Sequence, residues 1–141
     1  MPRKPHHPSP PAKPADSEKI TVNLGFVDLG QVDLLVAEGF YGNRSDFIRT
    51  AIRNQLGHHA EVVKLAVARK MLVFGMQHFS ADDLRAVKAA GQTLQLRVVG
   101  LASLAHDVTP ELALATIDTL DVLGALHASP AVKAALAARQ R

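Results

Sequence analysis

Lys19, Thr21 and Asn23 stand two residues apart, an ammonium, a hydroxyl and a carboxamide on one side of a run whose other side carries Ile20, Val22 and Leu24. Strict polar/apolar alternation is the period of a half-buried strand. Paired with a second strand, such a segment forms a ribbon narrow enough for the major groove of B-DNA, where donors and acceptors at this pitch meet base edges. No other group of side chains suggests chemistry so directly. Among the seven histidines, His6-His7 and His58-His59 are adjacent pairs that do not face each other on a helix. His78, His106 and His127 recur about one repeat apart near the ends of three apolar runs; surface or partly buried histidines explain them most simply, so no metal site is expected. Asp82 and Asp83 follow Ser80 in a capping pattern, Asp107, Asp118 and Asp121 are scattered, and the glycines are too isolated for a phosphate loop. No nucleophile stands with a base. The chain is expected to have no catalytic residue and no cofactor, and not to be an enzyme.

Composition narrows the field further. The chain of 141 residues is 48% hydrophobic and 21% charged, enough apolar material for a core and the size of one domain or two small ones. Without cysteine it forms no disulfide, Cys-ligated zinc site or thiol nucleophile. At 4% aromatic residues and no Trp it lacks the stacking platforms of single-strand binders. No apolar run reaches the roughly 20 residues of a membrane-spanning helix. The first residues lack the apolar stretch of a secretory signal. A soluble, cytoplasmic protein with no membrane partner is therefore expected. The net charge of +3 permits nucleic acid without demanding it.

The elements that must position the three polar residues follow in order. Residues 1–17 hold six of the eight prolines, with Arg3, Lys4 and Lys13 against Asp16, and read as an extended basic tail. Residues 18–57 read strand, helix, helix. Gly25 can end the strand. Leu29, Val32, Leu35 and Val36 give a helical stripe over 27–38, weakened by Gly30 and closed by Gly39. Asn43-Arg44-Ser45-Asp46 opens a second helix with a capping-box-like pattern, carries Ile48, Ala51, Ile52 and Leu56 as its stripe, and can close at Gly57. A lone strand leaves its ladder groups open and its apolar face half covered. A homodimer solves both problems: two strands pair antiparallel and four helices cover them, with Ile20, Val22, Leu24, Leu35, Ile48 and Ile52 as the dimer core.

These residues, in this order and spacing, resemble the ribbon-helix-helix family of DNA-binding repressors, the group related to plasmid copy-number regulators and many antitoxins. The resemblance runs without a gap from Ile20 to about Leu56. It rests on the strand 20–24, on Leu29, Val32, Asp33 and Leu35, on Gly39 and Tyr41 in the turn, and on Asn43-Arg44-Ser45-Asp46 with Ile48-Arg49 and Ile52-Arg53. It implies base contacts by Lys19, Thr21 and Asn23, and phosphate contacts by the amides and side chains of Asn43, Arg44 and Ser45. A helix N-terminus, with its free N–H groups and partial positive charge, suits that second role. Gly25 departs from the Pro often found there, and Gly30 loosens the first helix. The nickel-responsive members use a Cys that this chain lacks. The other reading of the segment is an edge strand with two helices in an ordinary α+β domain, its polar residues merely solvated.

Two magnitudes shape the expected assembly. Within 17–57 four bases (Lys19, Arg44, Arg49, Arg53) face five acids (Glu18, Asp28, Asp33, Glu38, Asp46), a net charge of −1, so binding relies on charge placement. A good base contact discriminates by about 1–3 kcal/mol, against the roughly 4–10 kcal/mol that separates specific from non-specific binding. Three modest readers per strand leave one dimer near the low end, and several dimers on neighbouring sites are expected.

Residues 58–70 read as a helical connector. Beyond it, apolar runs around Gly75, Gly100 and Gly124, spaced 25 and 24 residues apart, are each followed by a Ser or Thr cap (Ser80, Thr109, Ser129) and a helix. Pro110 and Pro130 suit the first helical position. Residues 71–141 are thus expected to form a β/α-repeat domain, a short solenoid or small parallel sheet, whose exposed ends join further copies. The alternatives are a self-contained lobe, or an antitoxin or assembly protein that holds a protein partner, such as a toxin, through this half. The fold class is α+β, and the expected function is a sequence-specific double-stranded-DNA-binding regulator, a repressor.

Overall fold

The computed structural model describes residues 17–141, so the expected Pro-rich tail lies, apart from Ser17, outside the described residues. Three helices come first: α1 (Phe26–Ala37), α2 (Arg44–His58) and α3 (Ala60–Arg69). Three strands alternate with three more: β1 (Val73–Phe79), α4 (Ala81–Ala89), β2 (Leu94–Leu104), α5 (Pro110–Thr116), β3 (Ile117–His127) and α6 (Pro130–Leu136), followed by a short 3-10 turn, Ala137–Arg139. The α+β content matches the expected class. The sheet lies in the second half and is parallel, in the order β1-β2-β3.

Polar side chains start the later helices where the sequence puts them. Ser80 and Asp83 form a full capping box: the Asp83 N–H donates to Ser80 Oγ (3.1 Å) and the Ser80 N–H donates to Asp83 Oδ2 (2.8 Å). Thr109 and Ser129 accept from the N–H groups of Leu112 and Val132, with Pro110 and Pro130 in the first turn. The helices pack over the sheet on a core of Leu84, Leu96, Ile117, Leu120, Val132 and Leu136, each at most 1% exposed. Thr116, fully buried, is satisfied by its own helix, its hydroxyl donating to the Leu112 carbonyl at 2.7 Å. The Arg139 guanidinium donates to the carbonyls of Leu114 and Ile117, tying down the direct passage from α5 into β3.

The ladder puts Gly75, Gly100 and Gly124 in one row. All three have positive φ, +124°, +138° and +122°, which L side chains rarely adopt. A Cβ on Gly100 would lie 2.0 Å from the Gly75 carbonyl oxygen, and one on Gly124 2.1 Å from that of Gly100. The strands approach each other there as only glycine permits.

Hydrogen bonds from the Ser80 backbone, then from its hydroxyl, hold the Asp83 carboxyl below its ordinary value of 3.8, with a smaller contribution from nearby His78. A depressed folded-state value adds stability above the ordinary carboxylate range and loses it as pH falls through the folded value. The melting temperature of the wild-type chain should therefore exceed that of Asp83→Asn at neutral pH. Titrating both by circular dichroism should show the gap closing below about pH 4; a gap constant with pH would refute the assignment.

Several local details differ from the sequence reading. Gly25 is extended at φ −62° and ψ 150° and serves as the N-cap of α1. Gly57 lies inside α2, which runs on to His58, because the next turn repeats the helical pattern directly through His59. Of the three histidines near the ends of the apolar runs, His78 and His127 share a row of the sheet with Ser103 between them, and His106 falls in the turn after β2. His78 Nδ1 lies 3.1 Å from Ser103 Oγ. Residues 18–25 form neither helix nor strand within the chain. The antiparallel ribbon expected of 19–24 does not form within one chain: among the described residues no strand pairs with it.

Candidate nucleic-acid interface

Buried residues are scarce in the first half. Among α1, α2 and α3 only Val32 is buried. Ile20 is 73% exposed, Val22 68%, Leu24 44%, Ile48 39% and Ile52 47%, while Leu35 is half-buried. An apolar groove of about 470 Å³ runs between α1 and α2, lined by Leu24, Val32, Leu35, Phe47, Ile48 and Ile52 among others. Five of the six residues assigned to a dimer core thus stand exposed, and four of the six, Leu24, Leu35, Ile48 and Ile52, line this groove. Lys19, Thr21 and Asn23 are exposed too, and no other part of the described chain covers them.

The start of α2 is tightly built. Asn43 is extended, and its side-chain oxygen accepts from the Asp46 N–H at 2.8 Å. The Asp46 carboxylate accepts in turn from the Gly42 N–H at 2.9 Å, one residue earlier than in a standard capping box. Tyr41 meets Phe47 edge to face, with ring centroids 5.0 Å apart, fixing the turn against the helix. The N–H groups of Arg44 and Ser45, in the first turn, have no acceptor within the helix and face outward with its partial positive charge.

Arg44 has a partner the sequence reading did not assign. Its Nε donates to Asp33 Oδ1 at 2.7 Å and its Nη2 to Asp33 Oδ2 at 2.8 Å, a bidentate bridge between α1 and α2. The hydrogen bond from Arg44 holds the Asp33 carboxyl below its ordinary value, and Asp33 raises that of Arg44. Both side chains are about half exposed, so the bridge orients more than it stabilises. It occupies two of the five guanidinium donors; both Nη1 hydrogens remain for a second acceptor. An acid and a base eleven residues apart, on either side of a turn between two helices, were the only sequence signal for it.

The ribbon-helix-helix transcriptional regulator family matches residues 15–133. The chain belongs to this family. The match covers the exposed segment 19–24, the helices α1, α2 and α3 and most of the β/α repeats, well beyond the segment whose residues carried the resemblance. Membership points to DNA-binding transcriptional regulation. No curated protein and no solved structure matches the chain. Among the described residues, no helix is long and apolar enough to cross a membrane.

Proposed function

We propose that this family member is a sequence-specific repressor that reads the major groove as a dimer. Residues 19–24 of two copies pair antiparallel. Their apolar side, Ile20, Val22 and Leu24, closes the groove between α1 and α2 with Leu35, Ile48 and Ile52. Their polar side presents Lys19, Thr21 and Asn23 twice to base edges. The first-turn amides of α2, with Asn43, Arg44 and Ser45, hold the flanking phosphates. Since the Asn43 side chain already caps the helix, its contribution is to aim the amides. Residues 18–57 act as the DNA-binding unit, 58–70 as its connector, and 71–141 join dimers on neighbouring sites. The observation that carries this reading is the segment 19–24 itself: alternating in sequence, exposed on both sides, unpaired among the described residues, and ending in Leu24, which lines an open apolar groove.

Selection of bound fragments from genomic DNA supplies the operator for the test. Affinity should fall steeply with salt, because phosphate contacts release counterions. Asn23→Ala should cost about 1–3 kcal/mol per half-site on the operator and relax sequence choice at one position in each half-site. Arg44→Ala removes one phosphate contact from each subunit, so it should weaken all duplexes alike and flatten the salt slope by about 2. Asp33→Asn breaks the same bridge while leaving the guanidinium in place, so it should keep affinity. If Asn23→Ala and Arg44→Ala change specific and non-specific binding identically, the division into base readers and phosphate clamp is wrong.

A further inference from the structure

The sheet has two open edges, and they match. Among the described residues nothing pairs with the outer edge of β1. On β3 a single rung is taken, where the Arg141 N–H donates to the Leu120 carbonyl at 2.8 Å. Since backbone groups alternate in direction along a strand, Val122, Gly124 and Leu126 turn their own N–H and C=O groups to that same free edge. Long unpaired edges flanked by apolar side chains are templates for another strand. Within the sheet, the large apolar residues left exposed are all on the two edge strands and none is on β2: Val73 is 42% exposed, Phe74 69% and Met76 65% on β1, and Leu123 53% on β3.

The repeat also fixes the register. A Cβ on Gly100 would strike the Gly75 carbonyl and one on Gly124 that of Gly100, so each strand uses its glycine to receive the previous strand's carbonyl. Gly75 has the same left-handed backbone, φ +124°, yet nothing lies within 4 Å of where its Cβ would be. Its conformation is that of a strand with a neighbour, shown at an edge without one. The Gly124 carbonyl is the group that continues the row.

We infer that copies of this chain join head to tail, β3 of one pairing in parallel with β1 of the next, with Gly124 opposite Gly75. Continuing the ladder places Leu123 beside Phe74, Ala125 beside Met76 and His127 beside His78. An apolar cleft of about 590 Å³ beside β1, lined by Leu56, Val63, Val67 and Phe74 among others, lies next to the incoming strand. The contact is heterologous, so it propagates instead of closing as a pair. The inference rests on the reading that residues 71–141 join dimers, and it supplies the partner and the geometry.

Sedimentation of the full chain tests it. The wild-type mass should rise with concentration beyond a dimer. Gly75→Ala blocks only the β1 edge, and Leu123→Lys only the β3 edge; each alone should stop at the dimer. Phe74→Lys serves as a second β1 variant without the backbone strain of alanine at Gly75. Mixing a β1-blocked with a β3-blocked protein restores one intact pair of edges at every junction, and large species should reappear. Val22→Pro, which disables the ribbon alone, should still assemble, but in steps of one chain instead of two. A wild-type protein that stops at the dimer overturns the junction. So does a β1-blocked variant that still assembles, since that means edges of the same kind meet. Equal step sizes in Val22→Pro and wild type would sink the ribbon dimer and leave the junction standing.

Discussion

Gly100→Ala is expected to unfold the second half of the chain while leaving α1 and α2 helical. The added methyl would sit 2.0 Å from the backbone oxygen of Gly75, and the residue would keep a φ of +138° that alanine tolerates poorly. Left-handed strain alone costs about 1–3 kcal/mol. The clash adds to it, because both groups belong to backbones held in a ladder and neither can swing aside. A total near 4 kcal/mol is a large part of the roughly 5–15 kcal/mol that holds a domain together. Gly75→Ala shares the strained dihedral but meets nothing within 4 Å, so in the dilute chain it should lose only the smaller share. Denaturant melts of the two variants, followed by far-ultraviolet circular dichroism, separate the contributions. Equal losses would mean that the close approach of strands carries no weight.

Val22→Pro is expected to turn the DNA-binding unit monomeric and to remove operator binding. Proline deletes a ladder N–H in the middle of a six-residue strand and restricts the residue before it. A short ribbon has few rungs to lose, and Ile20 and Leu24 would no longer be held over the groove between α1 and α2. Each monomer keeps its phosphate-binding helix end but reads half a site, so the loss should be at least about 100-fold, the advantage of linking two half-sites. Val22→Ile keeps the alternation and should bind as wild type does. Fluorescence anisotropy on the selected operator, together with sedimentation of the same samples, checks both halves of the expectation. A monomeric Val22→Pro that still binds its operator at wild-type affinity would remove the ribbon from the account.

Much of the molecule was legible in local sequence because local physics decides it. Asn43, Ser80, Thr109 and Ser129 each mark a helix start, since a side-chain oxygen must satisfy first-turn N–H groups that no helix can satisfy itself. The glycines at intervals of 25 and 24 residues marked three like units, and a parallel sheet follows from strands separated by helices. Errors fell where neighbours in space override the local cue. Gly57 was read as a helix end, yet the helix runs through it. Asp33 and Arg44 both belong to the family-like pattern of the sequence, but the bidentate bridge between them depends on how two helices meet across a turn.

The sequence by itself determined the alternation of 19–24, the caps, the repeat and the absence of thiol chemistry, because each is set by residue type and spacing along one chain. Only the tertiary structure decided that three glycines share a row with strands pressed together across it, that Ser103 instead of His106 stands between His78 and His127, and that the first half leaves its apolar residues facing an open groove. Those are distances between segments far apart in sequence, fixed when the whole chain buries what it can and leaves the remainder exposed.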